Sequence, residues 1–225
     1  EMVSLSSTSF TYNGKEQSVS GFTSDIDGLT FENVTAGAKG TKAGEYAANF
    51  VNQSGLVIKD STGTDVTERY SVTFVPAKLT IAKAELTITA TNRSMTYGRT
   101  STLTPAASVV YSGYVNGETY ATAHITGTVG YAYYSGTTPV SISNSLGAGS
   151  YAIRPVITTM SAENYVFVPV DGTLTVNQAT GMAVRVSGVS RSYDGNSYSV
   201  TATPSITTGT TLLYSTEGGT DLSKY

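Results

Sequence analysis

Apolar and polar side chains alternate with a period of two along most of the chain. The clearest run is Leu86-Thr-Ile-Thr-Ala-Thr91, whose alternation places Leu86, Ile88 and Ala90 on one face of a half-buried strand. Residues 70–75, 78–83, 165–168, 173–176 and 182–186 read the same way. Threonine is the recurring polar partner, which fits the stiffness of its β-branched side chain and its preference for a pleated surface. Between the runs lie turn pairs: Asn13-Gly14, Asp27-Gly28, Asn116-Gly117, Asp171-Gly172, Asp194-Gly195 and Gly218-Gly219. No capped window carries apolar residues at helical spacing. The predicted fold class is all-β, antiparallel and sandwich-like in the manner of immunoglobulin modules.

Three landmarks recur in order. A Tyr-Gly turn stands at Thr11-Tyr-Asn-Gly14, Thr96-Tyr-Gly98 and Ser192-Tyr-Asp-Gly195. An Ala-Gly-x-Tyr element ends at Tyr46 and again at Tyr151, and a closing pair of strands starts at Tyr70 and again at Tyr165. The offsets are 85 (Tyr12 to Tyr97), 105 (Tyr46 to Tyr151) and 95 (Tyr70 to Tyr165), a drift that loops of unequal length produce while strands stay in place. The glycine permits a tight turn and the tyrosine packs its ring. Tandem modules follow at 1–84 and 85–179, with the first half of a third at 180–225. That half lacks the later landmarks, so a longer array cut within its third module is expected, and a shorter terminal module is the second reading. A continuation would carry an Ala/Gly-Gly-x-Tyr element and another closing strand.

The first seam, Leu79-Thr-Ile-Ala-Lys-Ala-Glu-Leu86, has no glycine or proline. It spans at most about 25 Å when extended. The second seam, Asn177-Gln-Ala-Thr-Gly181, contains a glycine and bends more readily. The expectation is an elongated array.

Composition removes whole classes of chemistry. There is no cysteine in the 225 residues and one histidine, His124. Disulfides, thiolate metal sites and a Cys nucleophile are excluded, and a Ser-His-Asp triad is a poor candidate. A net charge of −3 gives no reason for a nucleic-acid partner. No apolar run approaches the roughly 18 residues of a membrane span, so no membrane insertion is expected.

The second module carries Leu86-Thr-Ile-Thr-Ala, Met95-Thr-Tyr-Gly98, Tyr114-Val-Asn-Gly-Glu118 and Ile125-Thr-Gly-Thr128, continued by Gly149-Ser-Tyr-Ala-Ile153, Asn164-Tyr165 and Gly172-Thr-Leu-Thr-Val176. With these motifs it resembles the bacterial MBG domain of the YGX type. The first module is similar to a related variant, with Arg69 before Tyr70 where asparagine is usual. The third start resembles the Tyr-Asp-Gly kind found beside MBG repeats. Such modules occur in tandem in large secreted or surface-anchored bacterial proteins. The resemblance therefore implies an extracellular stalk or adhesin segment and carries over no catalytic residue or cofactor.

Candidate chemistry is thin. Asp25-Ile-Asp-Gly28 with Glu32 has part of a calcium-loop pattern but lacks its third and closing ligands, so it reads as a turn with solvated carboxylates. Asp60 and Asp65 read likewise. Glu118 and Glu163 make a chance carboxylate pair better than a glycosidase pair, and His124 is structural or exposed. A Lys–Asn isopeptide staple is conceivable only in the first module, from Lys15 or Lys78 with Asn49 or Asn52, because the second module has no lysine. Asn33, Asn52 and Asn92 open glycosylation triplets that matter only in a eukaryotic secretory route.

The sharper surface feature is a run of tyrosines: Tyr111, Tyr114, Tyr120, Tyr131, Tyr133 and Tyr134. Tyr131 and Tyr133 share one strand face and Tyr134 takes the other. They read as core packing with scattered exposure, or as a face for a host or environmental glycan or protein. The expected role is a non-catalytic, monomeric segment of a longer extracellular chain at the bacterial surface. A Tyr-faced binding module and an accessory region of a secreted enzyme are the alternatives.

Overall fold

The computed structural model describes residues 2–98, 107–188, 190–196, 198, 200–205, 207 and 210–212. The predicted Gly218-Gly219 turn lies outside them. The chain divides into two compact units that alternate along the sequence. Unit 1 comprises Glu1–Ile88, Tyr111–Val129 and Ile157–Val168, and unit 2 comprises Thr89–Val110, Gly130–Val156 and Pro169–Tyr225.

The first ten strands belong to unit 1: β1 (Met2–Ser4), β2 (Thr8–Thr11), β3 (Gln17–Ser20), β4 (Thr23–Ser24), β5 (Thr30–Glu32), β6 (Thr35–Gly40), β7 (Gly44–Val51), β8 (Val57–Lys59), β9 (Thr73–Val75) and β10 (Ala77–Ala82). They form a five-stranded sheet of order β2-β10-β7-β6-β3, a three-stranded sheet of order β4-β1-β9, and a β5-β8 ribbon. Val3 of β1 and Phe74 of β9 meet Ala36, Ala48 and Phe50 of β6 and β7 in one core cluster, so the two sheets pack as a sandwich. Phe50 contacts Phe22 and Phe74, at centroid distances of 5.5 and 4.9 Å. A separate and larger cluster gathers Tyr12, Leu79 and Ile81 with Ala84, Leu86, Ala123, Ile125, Ala162 and Tyr165.

The chain continues through β11 (Ala84–Ala90), β12 (Arg93–Thr96), β13 (Val109–Ser112), β14 (Gly130–Ser135), β15 (Thr138–Val140), β16 (Gly149–Val156), β17 (Tyr165–Val170) and β18 (Gly172–Asn177). One sheet has the order β13-β11-β17, and unit 2 carries a five-stranded sheet of order β12-β18-β16-β14-β15. Met95, Ile153, Leu174 and Val176 with Ala90 form the core of unit 2. Two further strands, β19 (Val184–Ser187) and β20 (Thr201–Pro204), pair with each other.

The two five-stranded sheets share a plan. In each, an early strand lies parallel to the closing strand, β2 with β10 and β12 with β18. Each closing strand then pairs antiparallel with a long strand, matching Leu79 to Tyr46 and Leu174 to Tyr151. The fifth strand differs. β3 precedes β6 in the chain, whereas β15 follows β14 after a Gly136-Thr137 turn.

The all-β, sandwich-like expectation holds, with physical refinements. Most pairs are antiparallel, but β1 with β9, β2 with β10 and β12 with β18 are parallel, because side-chain alternation does not encode pairing sense. Only Thr73–Val75 of the predicted run at 70–75 is strand. A 3-10 turn at Thr67–Arg69 precedes it, held by Asp65, which accepts hydrogen bonds from Thr67 N–H and Oγ1. β19 was expected to be half-buried and is exposed on both faces, and among the described residues β20 is the one strand beside it. Asp171-Gly172 is no hairpin turn: β17 and β18 lie in different sheets. Gly172 is a close-approach glycine, where a Cβ would sit 2.3 Å from the Ala90 carbonyl oxygen.

Candidate functional site

The largest core cluster is built around the Tyr-Gly turn that ends β2. Tyr12 N–H donates to the Ala82 carbonyl at 2.8 Å, which ties the turn to the end of β10. Asn13 Oδ1 accepts Lys15 N–H at 2.9 Å, and Gly14 takes the left-handed φ of +74°. This local geometry turns the Tyr12 ring inward, and the residue is only 5% exposed.

Its hydroxyl finds a carboxylate. Val115-Asn-Gly-Glu118 forms a tight turn with positive φ at Asn116 and Gly117, closed by Glu118 N–H to the Val115 carbonyl at 3.0 Å. Tyr12 donates to Glu118 Oε1 at 2.5 Å, and Tyr165, 2% exposed, donates to Glu118 Oε2. The Tyr165 oxygen also accepts Val115 N–H at 3.1 Å. The Tyr12 and Tyr165 rings meet edge to face at 5.7 Å. Burial first, and then hydrogen bonding to the Glu118 carboxylate, pushes both phenols up to about 12. Both therefore stay protonated donors throughout the neutral range.

A ring of polar contacts surrounds this clasp. Asn116 Nδ2 donates to the Gly14 carbonyl at 3.2 Å, and a Cβ on Gly14 would lie 2.5 Å from Asn116 Cβ. Ala43 N–H donates to Asn164 Oδ1 at 3.0 Å, and Lys42 pairs with Glu163 at 2.9 Å. Lys83 Nζ donates to the Ala162 carbonyl and Ala84 N–H to the Asn164 carbonyl, at 2.8 and 2.9 Å. The stretch read as the first seam is thus anchored at Lys83 and Ala84 to Ala162 and Asn164. The arrangement uses its carboxylate and phenols to bind chain to chain.

The six singled-out tyrosines fall into two sets. In unit 1, Tyr111 lies 6.3 Å from Tyr114 and 5.4 Å from Tyr120, and Tyr114 lies 6.1 Å from Tyr165. Tyr111 and Tyr114 pack on the clasp's cluster, whereas Tyr120 is 37% exposed and donates to the Gly127 carbonyl at 3.1 Å. In unit 2, Tyr131 and Tyr133 pack against the core, and burial raises both phenols. Tyr134 takes the opposite sheet face. The Arg154 guanidinium lies 4.6 Å above its ring and pairs with Asp171 at 2.9 Å.

The remaining acidic and amide residues serve local structure. Asp25 Oδ1 accepts Met2 N–H, and Glu32 pairs with Lys59 at 2.8 Å. Asp60 accepts from Thr62 N–H, Thr62 Oγ1 and Thr64 N–H. Asp60 and Asp65 are both held below the usual carboxylate range, chiefly by hydrogen bonds from threonine hydroxyls. Among the described residues, no three His, Asp or Glu side chains gather as a metal site. Lys15 and Asn49 are exposed, and so is Lys78, which pairs with Glu45 at 2.6 Å; the buried lysine of an isopeptide staple is absent from both proposed positions. Asn33 and Asn52 are left-handed turn residues joined by Asn52 Nδ2 to the Asn33 carbonyl, Asn92 caps Thr173 N–H, and His124 takes a φ of 51° in a turn.

Sequence reasoning passed over Glu118 and Asn164 as joint residues. Their signal lay inside the quoted motifs Tyr114-Val-Asn-Gly-Glu118 and Asn164-Tyr165, next to tyrosines that periodicity alone could not orient.

Among the described residues no helix is long and apolar enough to cross a membrane. No curated protein and no solved structure matches the chain. Residues 86–175 match the family model described as MBG domain (YGX type), a family generally found in extracellular proteins.

Proposed function

We propose that the chain is a non-catalytic spacing segment of a bacterial cell-surface, adhesin-like protein, built from tandem copies of one β-module. The observation that carries this reading is the clasped first seam. Lys83 is the only residue between β10 and β11, and Tyr12, Glu118 and Tyr165 close a buried cluster that takes in Ile81 and Ala84 on either side of it. Matched bonds support the copy relation. Tyr12 N–H to Ala82 has its counterpart in Tyr97 N–H to Asn177, and Tyr46 Oη to the Lys42 carbonyl in Tyr151 Oη to Gly147. Protease shaving of intact producing cells tests the location: release of peptides from this segment is expected, and full protection until lysis overturns the reading.

A second role for the same segment is glycan contact, favoured by the Tyr134–Arg154 stack on the sheet face opposite the core of unit 2. Glycan-array binding that is lost in Tyr134→Ala supports it. An array blank for the wild-type chain removes it.

A further inference from the structure

The parallel pairs decide how this chain meets a pulling force. A chain tensioned from its ends is loaded at the start of the first strand of a module and at the finish of its last. Where those strands are parallel neighbours, the two forces act at opposite ends of one ladder. They slide the strands past each other, and every bond of the ladder carries load together. In an antiparallel hairpin the same force peels bonds off one at a time.

We infer that β2 with β10, and β12 with β18, are mechanical clamps that make this chain a load-bearing element. The inference rests on the spacer reading above and adds force resistance to it. The first clamp pairs Thr8 with Leu79, Ser9 with Thr80, Phe10 with Ile81 and Thr11 with Ala82, and Tyr12 N–H on Ala82 ends it. The second pairs Arg93 with Leu174 through Thr96 with Asn177, and Tyr97 N–H on Asn177 ends it at 2.9 Å. The tyrosine of each of the first two Tyr-Gly landmarks thus closes a clamp. In unit 1 a further parallel pair, Met2–Ser4 with Thr73–Val75, is loaded in the same sense, and Leu5 N–H extends it to Val75. Leu79, Ile81, Leu174 and Val176 are almost wholly buried, so sliding the closing strands also drags core side chains out of their packing. Everything between the clamped strands is bypassed by the load until its clamp breaks. The Glu118 clasp contributes to stability at rest, because the second clamp encloses both Glu118 and Tyr165.

The test is single-molecule stretching of the full chain from its two ends. Each clamp releases the chain it encloses, so two high-force events are expected, with length gains of about 250 and about 280 Å at roughly 3.5 Å per residue. The chain has no cysteine, so attachment points can be moved at will. With handles at Thr35→Cys and Val51→Cys, which are opposite partners in β6 and β7, the pull unzips an antiparallel pair and the rupture force should fall clearly. Alternation from Tyr12 directs Thr8 N–H toward β10 and Ser9 N–H toward the open edge of the sheet. Thr8→Pro should lower the first event by roughly a fifth, as one of about five ladder donors on the two strands is lost, while the second event serves as an internal reference. Ser9→Pro should leave both unchanged. End-to-end events no stronger than the unzipping pull, or equal effects of the two prolines, overturn the clamp. A surface-exposed chain that ruptures weakly defeats the clamp alone, and a strong chain found only inside cells defeats the spacer reading alone.

Discussion

Removing one hydroxyl from the Glu118 clasp should destabilise unit 1 by an amount the geometry orders in advance. Tyr12→Phe deletes one hydrogen bond to a carboxylate and leaves the ring packing intact. Bonds to charged groups contribute about 1.5–3 kcal/mol, and Glu118 is only half-buried, so the low end applies and a loss of about 1.5 kcal/mol is expected. Tyr165→Phe deletes the equivalent bond and also strips Val115 N–H of its acceptor. Its cost should be larger, about 2.5 kcal/mol. Glu118→Ala leaves two buried hydroxyls without their acceptor and should cost about 3–4 kcal/mol. The assay is urea unfolding of the full chain followed by tyrosine emission, which 16 tyrosines and no tryptophan make practical. Because the chain has two compact units, the transition is assigned to unit 1 from the variants themselves before it is fitted. A double-mutant cycle between Tyr12→Phe and Glu118→Ala isolates the pair, with a coupling of about 1–1.5 kcal/mol expected. Additivity within about 0.3 kcal/mol, or Tyr12→Phe costing more than Tyr165→Phe, refutes the clasp as an energetic unit.

Other consequences follow from single groups. Tyr12 and Tyr165 have folded-state values near 12 against an ordinary 10.0. Their stabilisation is therefore complete below pH 10 and is lost as pH rises toward 12; alkaline melting curves should fall across that window, less steeply in Tyr12→Phe. Asp60 and Asp65 are shifted the other way. The order they give the 60–67 loop should persist above the ordinary carboxylate range and vanish only as pH falls through their lowered values, which amide exchange in acid would follow. Among the described residues the buried Tyr114 hydroxyl has no hydrogen-bond partner, so Tyr114→Phe should be neutral or stabilising by up to about 1 kcal/mol in the same urea assay. Gly172→Ala drives a methyl into the Ala90 carbonyl and should cost unit 2 more than about 2 kcal/mol, whereas Gly28→Ala, with open space around it, should cost about 1 kcal/mol in thermal melts.

Period-two alternation carried the strands well where a strand is covered on one side. Leu86, Ile88 and Ala90 are buried together as their spacing demands, and Leu79 with Ile81 and Leu174 with Val176 behave the same way. It misled on β19, which is exposed on both faces among the described residues, because alternation reports what a strand could bury and not whether anything lies against it. Pairing sense was illegible for a related reason: a strand's own side chains are the same beside a parallel or an antiparallel neighbour. The joint was half legible. Tyr12 was expected to pack its ring, but the carboxylate that receives its hydroxyl lies 106 residues away in sequence, and local spacing says nothing about such partners. The tyrosine run was a sequence neighbourhood; pleating and loop paths sent its members to different surroundings.

On the proposed reading of the chain as tandem copies, the donor and the acceptor of the clasp stand in different copies of the repeat, and this bears on how such a chain would change length over evolution. A duplication or deletion whose endpoints both fall at the same point of the repeat preserves a donor Tyr turn followed by an acceptor Glu turn at every internal junction. An unequal exchange that joins the Tyr12 type of turn to a copy with no Glu118 leaves one phenol, or one carboxylate, stranded at the new junction. Copy number is therefore free to drift while junction residues must drift in pairs. In lineages that carry this segment, Tyr12 and Glu118 should be gained and lost together more faithfully than either is kept with the loops of its own copy.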